Sequence, residues 1–275
     1  MASRIRMPLE PLTRITAAQA AAVHTLVTDI DDTVTTDGRL TAHAYAALEQ
    51  ARDAGLRVIV TTGRPAGWCD HIARMWPVDA VVGENGGLYG WYDAAARKLR
   101  VRHSLDAAGL AANRGRIEAV ARAVLDAVPG AALASDQFCR LYDLAIDYCE
   151  DVPPLSEAAV NEIVRHMQAA GMTAKVSSIH VNGWFGAHDK LSMTRTLVQE
   201  RWGLDLDAGR DGFVYVGDSP NDAPMFGHFP LAVGVANVRD FVGRMEALPA
   251  FVTQARSGAG FAELVARLVA LRTTG

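Results

Sequence analysis

The 275-residue chain has only three cysteines, Cys69, Cys139 and Cys149, and no C-x-x-C spacing among them. An odd, scattered set points to neither a disulfide framework nor a zinc–thiolate site, and it suits a reducing cytoplasm. No run approaches the roughly 18 apolar residues that span a bilayer. Arg4 and Arg6 stand near the start, but Pro8, Glu10, Pro11 and Arg14 interrupt the place where a signal peptide's apolar segment would lie. Net charge is −4 and the basic residues are not run together, which argues against a nucleic-acid or polybasic membrane surface. None of the eight histidines has H-x-x-x-H spacing or an adjacent partner, so imidazole ligation of a metal is not expected. What remains is ample core material: half the residues are apolar, enough for one large domain or two.

Residues 1–23 read as an N-terminal extension with a short helix from Thr16. Val27 to Ile30 is the end of a buried strand, and Thr41 caps a helix that Gly55 stops. Leu56 to Val60 is a second strand, followed by Thr61-Thr62-Gly63-Arg64-Pro65. Pro65 opens a helix whose apolar face is Trp68, Ile72, Met75 and Trp76. Val78 to Val82 is a third strand, stopped by Gly83-Glu84-Asn85-Gly86-Gly87. Strand and helix alternating in this way build a doubly wound parallel sheet.

The rhythm changes after Gly87. Leu88–Asp93 and Lys98–His103 read as paired strands. Ile117, Val120, Val124, Leu125 and Val128 mark one face of a long helix. Leu141–Tyr148, a helix capped by Ser156, and strands over 173–178 and 179–185 follow, so residues 85–185 are expected to form a separate α+β insert. The parallel pattern returns with a helix opened by Lys190, strands at 213–216, 231–235 and 251–253, and a terminal helix faced by Phe261, Leu264, Val265, Leu268 and Val269. Residues 24–84 and 186–275 are therefore expected to form one α/β core.

Polar clusters stand just beyond the apolar runs: Asp29 and Asp31, Thr62, and Asp218 with Asp222. In an open parallel sheet the carboxyl ends of the strands form the ligand crevice. Asp29 and Asp31, two residues apart, start on the same side of their strand. Crowded carboxylates raise one another's pKa or demand a cation, and oxygen ligands alone select a hard ion, Mg²⁺. Asn221 reads either as support for the site or as an Asx turn after Pro220. Arg64 reads either as a substrate contact or as a carboxylate's partner, and Asn85 either as a substrate contact or as the turn before Gly86. Asn182, Trp184 and His180 lie near the return from the insert, where Trp184 is either core packing or a substrate contact. Cys139 and Cys149 read as buried apolar residues.

The ordered set of Asp-x-Asp-x-Thr at 29–33, Val-Ile-Val-Thr-Thr-Gly-Arg-Pro, Gly-Glu-Asn-Gly-Gly, Lys190 and Gly-Asp-Ser-Pro-Asn-Asp-Ala-Pro-Met resembles the haloacid dehalogenase superfamily. It is most similar to subclass IIB, the Cof-like members, whose cap of the C2B type is inserted between the second and third motifs. The resemblance implies that Asp29 is the nucleophile and Asp31 the general acid and base. It implies that Thr62 and Lys190 hold the phosphoryl oxygens, and that Asp29, Asp31 (by its backbone carbonyl), Asp218 and Asp222 form or support the Mg²⁺ site. Gly63, Arg64, Asn85, Asn182 and Asn221 are the further substrate-binding candidates. Asp32 departs from the pattern, which often has glycine there; as the middle residue of the alternation it is expected to point away.

The implied activity is a Mg²⁺-dependent phosphatase acting on a small phosphorylated metabolite, a sugar phosphate or a phosphoglycerate, as in sucrose-phosphate and mannosyl-phosphoglycerate phosphatases. The rivals are a phosphosugar mutase of the same cap subclass and a phospho-accepting receiver switch. Such switches are about half this length and lack a large insert, whereas a mutase would need a bisphosphate activator.

Overall fold

The computed structural model describes residues 9–273. Residues 1–8 of the expected extension lie outside the described residues. In chain order the elements are β1 (Glu10–Pro11), α1 (Ala17–Ala22), β2 (Thr25–Thr28), β3 (Thr35–Thr36), β4 (Arg39–Leu40), α2 (Ala42–Asp53) and β5 (Arg57–Thr61). Next come α3 (Ala66–Met75), β6 (Ala80–Gly83), β7 (Leu88–Asp93), β8 (Lys98–His103), α4 (Ala107–Ala127), β9 (Ala132–Leu133), β10 (Asp143–Asp147) and α5 (Glu157–Ala169). The remainder are β11 (Thr173–Val176), β12 (His180–Trp184), α6 (Lys190–Trp202), β13 (Phe213–Gly217), α7 (Ala223–His228), β14 (Leu231–Gly234), β15 (Phe251–Val252) and α8 (Ser257–Thr273).

By internal contacts the chain divides into two compact units, residues 1–59 with 205–275, and residues 60–204, with the division falling inside β5. The first unit is built on parallel strands in the order β1-β15-β14-β13-β2. Their residues, such as Leu26, Val27, Val214, Val216, Ala232 and Val233, are buried on both faces, as strands covered by helices on each side must be. Residues 10–23 belong to this packing. Pro11 is in register with Val252, Thr16 caps α1 with its side chain, and Leu12, Ile15, Ala20 and Val23 are buried. Arg267 and Arg272 of α8 donate to carbonyl oxygens of Ile15 and Val23, tying the two segments together.

The second unit holds the antiparallel run β6-β7-β8 and a four-stranded antiparallel sheet in the order β11-β12-β10-β9. One face of the four-stranded sheet is covered by α4 and α5, with Val120, Val124, Leu144, Ile146, Val160, Ile163, Met167 and Val181 forming a core of its own. Gly183 is required there, because a Cβ would lie 2.6 Å from the Met167 sulfur.

The expected face of α3 is rotated. Cys69, Ile72 and Ala73 are the buried residues, while Trp68 is 43% and Met75 63% exposed. The reason is the missing side chain of Gly83 at the end of β6: Cys69 fills that space so closely that a Cβ on Gly83 would meet its sulfur at 2.4 Å. Pro65 is the cap rather than the first helical residue. Cys139 and Cys149 are only partly buried.

Gly86 sits at φ +102°, with a would-be Cβ 2.1 Å from the carbonyl oxygen of Asp189, the residue that caps α6. Gly86→Ala therefore combines a strained backbone with a clash against a helix start. The expected outcome is a loss of more than about 1 kcal/mol of stability, read from the urea midpoint, against a gain of about 0.5–1 kcal/mol for Gly115→Ala inside α4, where a Cβ meets nothing within 4 Å.

Candidate active site

In the first unit, β2 and β13 lie side by side and parallel, with Val216 in register with Thr28. Their carboxyl ends therefore deliver Asp29 and Asp218 together, and the Asp29 amide donates to the Val216 carbonyl at 2.9 Å. Asp29, Asp218 and Asp222 are buried, and each offers a carboxylate oxygen within 4.8 Å of the others. At that separation each pair repels by about 3 kcal/mol at an effective dielectric of 20. This exceeds the roughly 1 kcal/mol net of an ordinary hydrogen bond, so the cluster needs a proton or a cation. Burial, and then the carboxylates of Asp222, Asp29 and Asp32, hold the Asp218 pKa well above the usual carboxylate range. Asp32 sits at φ +54°, in a left-handed turn, where the strand alternation behind the expectation that it points away no longer applies.

The three acids differ in their partners. Asp222 accepts from the Tyr215 hydroxyl at 2.6 Å and from the amides of Asp218 and Ser219 at 2.9 and 3.2 Å, so it braces the loop that carries Asp218. Asp218 accepts from Asn237 Nδ2 at 3.0 Å and from the Thr33 hydroxyl at 3.4 Å. Asn221 accepts from the Ser219 hydroxyl within the same turn. Asp31 is partly buried beside this cluster in sequence, and its side chain is not one of the three.

The second unit carries the remaining candidates. Thr62, buried after β5, accepts from the Arg64 amide at 2.9 Å through its hydroxyl, and its carbonyl accepts from Asn85. Lys190 is buried at the first position of α6, whose start packs against the Glu84–Gly86 turn. Asn85 and Asn182 both donate to Asp143 Oδ2, at 3.3 and 3.0 Å, and both lie against Gly63, where a Cβ would be 3.2 and 3.5 Å from their amide groups. Arg140 binds the other Asp143 oxygen and the Gly63 carbonyl, at 2.9 and 2.7 Å.

Arg64 is engaged by Glu150 at 2.5 Å and Asp136 at 3.4 Å, and it lies over the Trp68 ring. Burial pushes the Glu150 pKa up, but hydrogen bonds from His180 and Arg64 outweigh it and draw the carboxyl down to about 2. Trp184 is buried, stacks on His188 and donates to its carbonyl, so it packs the core.

Two residues of these clusters carried no signal of their own in the sequence. Glu84, fully buried at φ +46°, accepts from the amides of Ala66, Leu141, Tyr142 and Asp143. Asn237 bonds the Asp32 carbonyl and Asp218 through Nδ2, and its Oδ1 accepts from the Ser257 amide at 2.9 Å. Its position shortly beyond β14, at the same sheet edge as Asp29 and Asp218, is the clue that could have found it.

Residues 26–111 match the family model for haloacid dehalogenase-like hydrolases. A phosphoglycolate phosphatase of Pyrobaculum neutrophilum is 32% identical over 245 residues, covering 87% of this chain and 93% of that protein. This chain belongs to the haloacid dehalogenase-like hydrolases. Its reaction class is that of a phosphatase, a phosphoric monoester hydrolase. Among solved structures, a Thermoplasma acidophilum protein superposes with TM-score 0.66 at 18% identity, over 90% of this chain and 98% of that one. The Synechocystis sucrose-phosphatase, solved with sucrose and phosphate, gives 0.60 at 15% identity, over 89% and 97%. Both share the fold of this hydrolase. Among the described residues no helix is long and apolar enough to cross a membrane.

The Asn237 contacts generate a test. Asn237→Ala removes three hydrogen bonds at a buried site and should cost about 1–3 kcal/mol. Asn237→Asp should cost more at neutral pH, because it sets another carboxylate against Asp218. Urea unfolding checks the order, which should narrow as the pH is lowered and the new carboxyl takes a proton.

Proposed function

We propose that this hydrolase is a Mg²⁺-dependent phosphatase that forms an aspartyl-phosphate on Asp29, and that its substrate is of the phosphoglycolate type. The observation that carries the chemistry is the buried trio Asp29, Asp218 and Asp222 at the carboxyl ends of two adjacent strands. The substrate class rests on the 32% identity to a phosphoglycolate phosphatase over nearly that protein's whole length. The odd number and scattered spacing of the cysteines suit a cytoplasmic site of action.

An all-oxygen, acid-rich donor set fits a hard divalent ion, with Asp29 and Asp218 holding it, the Asp31 carbonyl contributing, and Asp222 bracing the loop. When bound, such an ion neutralises charge so that a carboxylate and a phosphate ester can approach. In the proposed reaction an Asp29 carboxylate oxygen attacks phosphorus, and the ester bond to the leaving oxygen breaks. Protonated Asp31 gives its proton to that oxygen. Asp31, now a carboxylate, takes a proton from water as the water attacks the aspartyl-phosphate, releasing inorganic phosphate and restoring both side chains.

Thr62, the Gly63 amide and Lys190 hold the phosphoryl oxygens as their charge develops. Asn182 meets the leaving group. Arg64 and Asn85, already bonded to neighbours, contribute by holding this binding floor in place, and Asn221 by holding the Ser219 turn beside Asp218. Residues 85–185 serve as the cap that selects the substrate, and residues 24–84 with 186–275 as the catalytic core.

Two predictions test this reading. Asp29→Asn should lose at least about four orders of magnitude in kcat, since no phosphoenzyme forms. Asp31→Asn should lose a hundred- to ten-thousand-fold on 2-phosphoglycolate, roughly what general acid catalysis supplies. It should still give a burst of one p-nitrophenolate per enzyme from p-nitrophenyl phosphate, whose leaving group needs no proton. Steady turnover by Asp29→Asn would sink the assignment.

The second is a screen of 2-phosphoglycolate, 3-phosphoglycerate and sugar phosphates by phosphate release, with and without EDTA. Activity should be highest on 2-phosphoglycolate, vanish with chelator and return with Mg²⁺. Full activity in excess EDTA removes the metal from the mechanism.

A further inference from the structure

We infer that Lys175 binds the carboxylate of the leaving group, so that this hydrolase selects phosphate esters of short hydroxy acids over those of sugars and simple alcohols. The inference rests on the phosphoglycolate-type reading above and assigns it to one side chain. Lys175 lies on β11, the edge strand of the four-stranded sheet. Its neighbours Ala174 and Val176 pack against the α4 and α5 core. Alternation along a strand therefore turns Lys175 to the opposite face.

That face is the one Asn182 shares. Lys175 is in register with Asn182, and Asn182 with Ala145, so the three lie abreast. Directly opposed residues on an antiparallel pair have their Cβ atoms about 4.5–5.5 Å apart. Asn182 in turn lies against Gly63, next to Thr62, with its amide oxygen 3.5 Å from where a Gly63 Cβ would be. Moving out from the threonine proposed for the phosphoryl group, the order is thus Gly63, Asn182, Lys175. A phosphorylated hydroxy acid has the same order of parts, a phosphate at one end and a carboxylate a short link away.

The acids on this side of the unit are already matched. Asp143 is bonded by Arg140, Asn85 and Asn182. Asp147 accepts from the amides of Cys149, Glu150 and Asp151. Glu150 is held by Arg64 and His180. Lys175 is partly buried, and no hydrogen bond or ion pair of its own is found among the described residues. Lys175 thus offers on this face a cation that an anion can pair with through a charge-assisted hydrogen bond. A lysine on an edge strand also serves to discourage pairing with another chain, and the experiment separates that role from recognition.

The experiment compares kcat/KM for 2-phosphoglycolate and 2-hydroxyethyl phosphate, in which an alcohol replaces the carboxylate. It uses the full chain as wild type, Lys175→Met and Lys175→Arg. The wild type should prefer 2-phosphoglycolate at least about tenfold, as expected for one charge-assisted hydrogen bond. Lys175→Met should collapse that ratio about 10- to 100-fold, and Lys175→Arg should restore most of it. A wild type without preference overturns the substrate class and the inference with it. A wild type that prefers the acid while Lys175→Met keeps the full ratio overturns the role of Lys175 alone. Equal loss on both esters assigns Lys175 to the sheet edge and also overturns its role in recognition.

Discussion

Buried negative charge, and how each carboxylate is compensated, is the constraint on which this structure turns. Glu84 is the extreme case: a fully buried carboxylate meets four backbone amides, from the start of α3 and from the entry to β10. Burial, and then repulsion from Asp143, raise its pKa, while those amides favour the charged form. Asp147 and Asp222 use the same solution locally, Asp147 bonding amides of the loop that follows it and Asp222 amides of the loop that precedes it. Glu84 fastens segments far apart in sequence, the other two brace their own loops, and all three are costly to replace, because the amides would then be left unsatisfied. The pair Asp29 and Asp218 is arranged differently. Asp218 is met by side chains rather than amides, those of Asn237, Thr33 and Ser219, and burial with the neighbouring carboxylates still holds its pKa well above the usual range.

The polar floor around Gly63 extends this logic to substrate positioning. Asn85, Asn182 and Arg140 converge on Asp143, and Arg140 also holds the Gly63 carbonyl. Because Asn85, Asn182 and Arg140 all donate to the one carboxylate of Asp143, the network favours one geometry. Absence of a side chain at position 63 is part of it, since the two asparagines stand where a Cβ would press on them. Such preorganisation would keep the Thr62–Arg64 turn, proposed above to hold the phosphoryl group, from relaxing between turnovers.

Much of this was legible in the sequence because it rests on local rules. The caps Thr16, Thr41 and Ser156 all accept from the expected amide, and β7 and β8 span the expected residues. Asp29, Asp218 and Asp222 were readable as a cluster because strand ends in a parallel sheet gather on one edge. What was not legible depends on contacts between distant segments. The rotation of α3 follows from an empty space at Gly83, and the departure from strand alternation at Asp32 from a left-handed turn. Glu84 looked like an ordinary turn residue, since nothing in its neighbours announces that the amides of residues 141–143 will arrive there.

The division of the chain bears on how it is made. Residues 60–204 are continuous, so every pairing inside that unit is available once residue 204 has left the ribosome. The other unit is split: β2 must wait for β13, its parallel neighbour, and β1 for β15, with the whole intervening segment synthesised in between. Until then β2, the strand that ends at Asp29, has an unpaired edge on which Leu26 and Val27 stand uncovered, the kind of surface that chaperones bind and aggregation exploits. Closure of the catalytic edge is thus a late event in biogenesis, and the acidic cluster comes into being only when the last third of the polypeptide is in place.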